Sequence, residues 1–109
     1  MRYWRQDYHY RNKVERRDLV FLAGLTSRLV HDLIAILFAL NETYYVGDGN
    51  NLGFIARFRH VPEGFAEAVG RILYPAPGAD VFERQYADLA RLIDAVVDLA
   101  ERAAGPDPR

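Results

Sequence analysis

The feature that most constrains the fold is the longest periodic run of the chain, from Asp18 to Asp48. Its aliphatic residues recur at intervals of three and four, which places them on one side of an α-helix turning about 100° per residue. We predict that this side is buried, and it consists of Leu19, Leu22, Leu29, Val30, Leu33, Ile34, Leu37 and Leu40. The opposite side combines polar residues with small ones, and it consists of Arg17, Gly24, Arg28, His31, Asp32, Ala35, Ala39 and Glu42.

Helix breakers divide the rest of the chain. Glycine and asparagine after Val46 end the central helix, because both tolerate left-handed turns, and two prolines after Tyr74 end a later helix. No strand pattern and no repeat is found, so we predict an all-α, single-domain bundle of about four helices around one long central helix. The predicted segments are an aromatic and basic arm or first helix over 1–13, the central helix over 14–46, a short helix over 52–58, helices over 62–74 and 80–103, and a tail over 104–109.

Composition narrows the class of protein. A chain of 109 residues with a net charge of −1 has no basic excess to neutralise many phosphates, so we expect no binding to duplex nucleic acid. The chain has no cysteine, which excludes disulfides and thiolate chemistry and suits a cytoplasmic protein. Its first residues lack the apolar stretch of a secretory signal, and the longest fully apolar run, Leu33–Leu40, is too short to span a bilayer. We therefore expect no membrane association.

The polar side of the central helix is the first candidate site. Arg28, His31 and Asp32 lie one turn apart, and Glu42 follows further along nearly the same line. Such a row can bind an anionic or polyhydroxylated ligand, with Arg28 holding a phosphate or carboxylate and Glu42 accepting from, or deprotonating, a hydroxyl. The alternative is a solvated helix side on which Arg28 and Asp32 simply pair. The three histidines are dispersed without metal-ligand spacing, so we expect no metal site.

The first thirteen residues offer a second candidate. Arg2 and His9 meet the loose Arg-x4-6-His spacing of HEPN-type ribonucleases, which they resemble in this respect. Aromatic residues interleaved with basic ones could also stack on single-stranded RNA. The alternative is that these aromatics cover the apolar side of a neighbouring helix.

The segment from Leu37 to Asp48, LFALNETYYVGD, resembles a signature of the helical C-terminal domain that follows a nucleotidyltransferase domain in many bacterial proteins. Where that pattern has proline and lysine around the Gly-Asp, this chain has Val46 and Gly49. The resemblance implies that the domain closes over an active cleft, while a partner domain holds the nucleotide triphosphate and Mg. It places Asn41, Glu42, Tyr45 and Asp48 at or near the cleft, with Arg28, His31 and Asp32 on the adjoining helix.

Three hypotheses follow. The leading one is a substrate- or partner-binding module of the nucleotidyltransferase type, inactive alone, with Glu42 orienting an acceptor hydroxyl or deprotonating it as a base. The second is a HEPN-like dimer, acting as a ribonuclease or as half of a toxin–antitoxin pair through Arg2 and His9. The third is a self-associating bundle without a ligand, a homodimer whose interface is symmetric about a two-fold axis.

Overall fold

The computed structural model describes residues 7–43 and 51–104, and every regular element in these ranges is a helix. The prediction of an all-α bundle is confirmed. The described residues form five helices: α1 (Asp7–Glu15), α2 (Leu19–Leu40), α3 (Asn51–Ile55), α4 (Phe65–Leu73) and α5 (Val81–Ala104). The long helices α2 and α5 lie against each other, with α1 and α4 packed on both of them and α3 on α2.

The central helix begins later than predicted. Residues from Asp7 to Glu15 form a helix of their own, α1. Arg17, with a left-handed φ of 55°, lies in the turn between α1 and α2. Asp18 then caps α2, since its Oδ1 accepts a hydrogen bond of 3.3 Å from the backbone N–H of Phe21. A single helix over 14–46 is therefore wrong at its start, because the charged stretch after Val14 has no apolar side to bury.

The same helix also ends earlier than predicted. Asn41 is its C-cap, and Glu42 beyond it has a left-handed φ of 51°. Glu42 is consequently not on the line of Arg28 and His31, and that part of the predicted polar row is wrong. Residues 44–46 of the predicted helix lie outside the described ranges.

The other predicted boundaries differ by smaller amounts. Helix α3 covers only the first part of the predicted 52–58 segment, and Phe58 follows it as a packed loop residue. Helix α4 begins at Phe65 because Gly64, with a left-handed φ of 72°, occupies its N-cap, so Pro62 precedes the helix instead of opening it. Helix α5 agrees with the prediction for 80–103 to within one residue at each end.

The core lies between α2, α4 and α5 and takes in the inner side of α1. The predicted buried side of α2 is confirmed from Leu22 onward, with Leu29 and Leu40 half-buried. The prediction that Leu19 is buried is wrong, because Leu19 is 63% exposed in the first turn of α2, where none of the described helices covers it.

A buried hydrogen-bond network joins four helices inside this core. The Tyr10 hydroxyl donates to Gln85 Oε1 at 3.3 Å and lies 2.6 Å from Thr26 Oγ1. Gln85 Nε2 in turn donates to the carbonyl of Ile72 at 2.8 Å. Because a hydroxyl carries one proton and Tyr10 gives it to Gln85, Thr26 must be the donor to Tyr10. Burial raises the pKa of Tyr10, and the Thr26 contact lowers it by less.

Candidate functional site

The polar residues predicted on α2 lie in solvent, as expected. Arg28, His31 and Asp32 are all exposed on adjacent turns. Within residues 7–43 and 51–104, the side chains of Arg28 and Asp32 form no ion pair, so the pairing expected within the helix is not made. Both charges are exposed and have no ionic partner in the described part of the chain.

His31 differs from its two neighbours because it lines a groove. The groove has a volume of about 340 Å³ and runs between α2, the start of α3 and the end of α4. Arg28 and Asp32 do not line it, so the structure brings one of the three predicted residues into a concave site and leaves two beside it. The groove is lined by Ser27, Val30, His31, Ile34, Asn51, Leu52, Gly53, Val69 and Leu73.

Asn41 holds the protein's own backbone. Its Nδ2 donates to the carbonyls of Leu37 and His60, each at 2.8 Å, and its Oδ1 accepts from the His60 N–H at 2.9 Å. The amide therefore clamps the loop before α4 to the end of α2. A contact between Asn41 and a substrate stays a prediction, and it would have to compete with this clamp.

Several predicted residues cannot be placed. Arg2, Tyr45 and Asp48 lie outside the described residues, as does the side chain of His9, whose backbone belongs to α1. The ribonuclease pair and half of the signature turn therefore stay predictions. Glu42 is exposed, directly before the segment that carries the rest of the signature.

A second hollow, absent from the sequence predictions, lies on the other side of Leu73. It has a volume of about 270 Å³, and its walls are mostly apolar. The exposed position of Leu19 could have indicated it, had the start of α2 been known. The hollow is lined by Leu19, Ala23, Thr26, Leu73, Pro75, Val81, Phe82 and Gln85.

The rim of this hollow is fixed by Arg17. Its guanidinium donates to Glu83 Oε1 and to the carbonyl of Ala79, both at 2.9 Å, and stacks over the Phe82 ring. A backbone hydrogen bond and the contact with Arg17 hold the pKa of Glu83 below its usual value. These contacts join the turn before α2 to the first turn of α5, next to Phe82 in the wall of the hollow.

Two exposed apolar residues directly follow, in sequence, residues that line the second hollow: Val20 follows Leu19, and Tyr74 follows Leu73. Val20 is 83% and Tyr74 is 88% exposed, and Leu73 lines the two hollows at once. Monomeric soluble proteins rarely leave large contiguous apolar surfaces uncovered, and such surfaces mark interaction sites. We call this surface the open face, and it consists of Leu19, Val20, Ala23, Leu73 and Tyr74.

Comparison with protein-family models, with curated proteins and with solved structures finds no match to this chain.

Among the described residues, no group of three or more histidine, aspartate or glutamate side chains could hold a metal ion. Helix α2 is long and apolar enough to cross a membrane, a test that core helices of soluble proteins and signal sequences also pass. Only 28% of its most apolar window is buried.

Proposed function

We propose that the chain is a helical binding module of the nucleotidyltransferase type, and that a partner domain docks on its open face. The observation that carries this proposal is the exposure of that face beside two hollows. Apolar pockets that take an anchoring side chain are where protein interfaces concentrate their binding energy.

Chemistry is assigned to the partner domain. That domain supplies the nucleotide triphosphate and Mg, since the chain lacks the Gly-Ser and paired aspartates that hold two metal ions for such a transfer. Glu42 contributes by orienting or deprotonating the acceptor hydroxyl, a role for which its exposed carboxylate is suited. His31 contacts the partner domain or the acceptor from the wall of the groove of about 340 Å³.

The test uses the full chain and a separately produced nucleotidyltransferase domain. Val20→Asp places a charge in the open face and should weaken binding, measured by calorimetry, at least about tenfold. Ala56→Asp is the matched control, because it adds the same charge at an exposed position after α3. Binding that is equal in the two variants would remove the open face from the proposal.

A separate measurement addresses Glu42. Nucleotide transfer is assayed with the wild-type chain and with Glu42→Gln, which keeps the shape of the side chain but cannot accept a proton. We expect a fall of about 10²–10⁴-fold in turnover with unchanged binding of the partner domain. Unchanged turnover would defeat the role of Glu42 while leaving the docking proposal standing.

A further inference from the structure

The second hollow has two buried polar residues in its otherwise mostly apolar wall. Thr26 and Gln85 both line it, and they are only 1% and 7% exposed. Both are also bonded to the Tyr10 hydroxyl, so their polar ends lie close together. An apolar hollow with a few convergent polar groups is the usual form of a site that binds a specific chemical group.

Each of these two residues has one hydrogen-bonding function left over. Gln85 Nε2 carries two protons, and among the described residues only the carbonyl of Ile72 accepts one of them. Thr26 Oγ1 gives its proton to Tyr10, and no described donor uses its lone pairs. A buried N–H without an acceptor lowers stability, so a ligand that supplies the acceptor gains affinity there.

The two unused functions are complementary to a hydroxyl group. A hydroxyl accepts one hydrogen bond and donates another, so it can bond to the Gln85 N–H and to Thr26 Oγ1 at once. An indole N–H only donates and leaves the Gln85 proton unpaired, and a phenyl ring pairs with neither group. Because the rest of the wall is apolar, the hydroxyl must be carried on an apolar body. Among protein side chains, tyrosine has a large apolar body that ends in a hydroxyl.

The size and position of the hollow fit a single side chain of a docked protein. Its volume of about 270 Å³ lies below the range of about 300–1,000 Å³ that is typical for drug-sized ligands. Leu19, Ala23 and Leu73 belong both to its wall and to the open face, so a protein docked on that face covers the hollow. Tyrosine is one of the residue types that carry most of the binding energy of interfaces, in pockets of this kind.

We propose that the second hollow is the pocket for a tyrosine side chain of the docked partner domain. This inference rests on the proposed function, because it names the side chain that anchors the partner on the open face. The tyrosine ring packs against Phe82 and the aliphatic walls, while its hydroxyl accepts from Gln85 Nε2 and donates to Thr26 Oγ1.

The side-chain analogue p-cresol tests the pocket in the full chain without a partner. A titration followed by chemical shifts should show saturable binding, with the largest changes at Thr26 and at the Gln85 side-chain amide. The dissociation constant should be at least about tenfold lower than those of toluene and 3-methylindole, which cannot satisfy both polar groups. Absence of p-cresol binding, or equal binding of the three compounds, would overturn the proposal.

A substitution that fills the hollow tests its location. Ala23→Leu adds a larger side chain at an exposed position of the wall and preserves the helix, so it should weaken p-cresol binding at least about tenfold. Ala39→Leu, exposed at the other end of α2, is the matched control and should bind p-cresol like the wild type. Binding that Ala23→Leu leaves unchanged would contradict the assignment of the site.

Two variants at Thr26 separate the hydrogen bond from stability. Thr26→Val removes the acceptor oxygen and keeps the shape, so the preference for p-cresol over toluene should fall at least about fivefold. Thr26→Ser retains the hydroxyl and should retain the preference. A loss of stability alone weakens the binding of both compounds and leaves their ratio unchanged, so an unchanged ratio in Thr26→Val would count against the proposed hydroxyl.

Competition separates this inference from the proposed function. Saturating p-cresol should weaken binding of the separately produced nucleotidyltransferase domain at least about tenfold in calorimetry, because the anchor pocket is then occupied. Partner binding that p-cresol leaves unchanged would overturn the tyrosine pocket and leave docking on the open face standing. A partner domain that fails to bind even without p-cresol would remove both.

Discussion

Val20 and Phe38 lie on the same line of α2, since they are five full turns apart, yet they have opposite environments. Val20 is 83% exposed, whereas Phe38 is 2% exposed. The rings of Phe54 and Phe58 pack on Phe38 at centroid distances of 6.3 and 5.0 Å. No described segment lies over Val20 in this way.

The difference shows that the burial of one side of a helix depends on which segments pack against it as much as on its hydrophobic pattern. Residues 51–58 cover the second half of this line, and the open face is what remains where that cover stops. The same helix thus provides a core in one half and a docking surface in the other.

The largest expected effect on stability comes from a substitution in the second half of α2, which residues 51–58 cover. Phe38→Ala should lower the free energy of unfolding by about 3–5 kcal/mol, because it leaves a cavity between α2 and the α3 segment. Val20→Ala, the change at the equivalent exposed position, should alter it by no more than about 0.5 kcal/mol. Urea unfolding measures both, and equal losses would show that the two halves do not differ as described.

The next largest effect concerns the buried hydrogen-bond network, in which Tyr10 contacts the core side of the first half of α2. Tyr10→Phe should cost about 1–3 kcal/mol in urea unfolding at neutral pH, because Thr26 and Gln85 lose their shared buried partner. Tyr8→Phe on the exposed side of the same helix is the matched control and should be nearly neutral. If the two variants are equally stable, the network contributes nothing to holding α1 in place.

A smaller effect concerns the loop at His60, which follows residues 51–58 and is bonded to Asn41 at the end of α2. Asn41→Ala should cost about 1 kcal/mol, the lower end of the range for lost partners, because the His60 backbone is only half-buried. Hydrogen exchange at His60 should become faster, since this amide loses its acceptor Oδ1. Unchanged exchange would mean that the loop is held by packing alone.

The last prediction is a dependence on pH. Burial raises the pKa of Tyr10 in the folded state above its unfolded value near 10, so folding favours the protonated phenol. This contribution is fully present below about pH 10 and is lost as pH rises through the folded pKa. Denaturant titrations above pH 9 should show a fall in stability that is shallower in Tyr10→Phe, and parallel curves would contradict it.

Periodicity predicted the helices well because a side-chain repeat depends only on local geometry. It failed at Arg17 and Glu42, where left-handed residues end helices without a glycine to indicate them. The exposure of Arg28, His31 and Asp32 was predictable from the polar side of α2. The groove beside His31 was not, since its other walls come from α3 and α4, which no local pattern brings to α2.

The buried network was missed for a similar reason. Tyr10 and Gln85 are far apart in the chain, and Thr26 looks like one small polar residue within an apolar stripe. Only the assembled fold shows that these three residues satisfy one another.

The hydrogen bonds of this network all point the same way: Thr26 donates to Tyr10, Tyr10 donates to Gln85, and the Gln85 amide donates to the Ile72 carbonyl. Sliding α1 by one turn would leave a buried donor or acceptor without a partner, so the network favours a single alignment of α1 with the other helices. Chains descended from the same ancestor should accordingly keep these three positions polar together or lose them together.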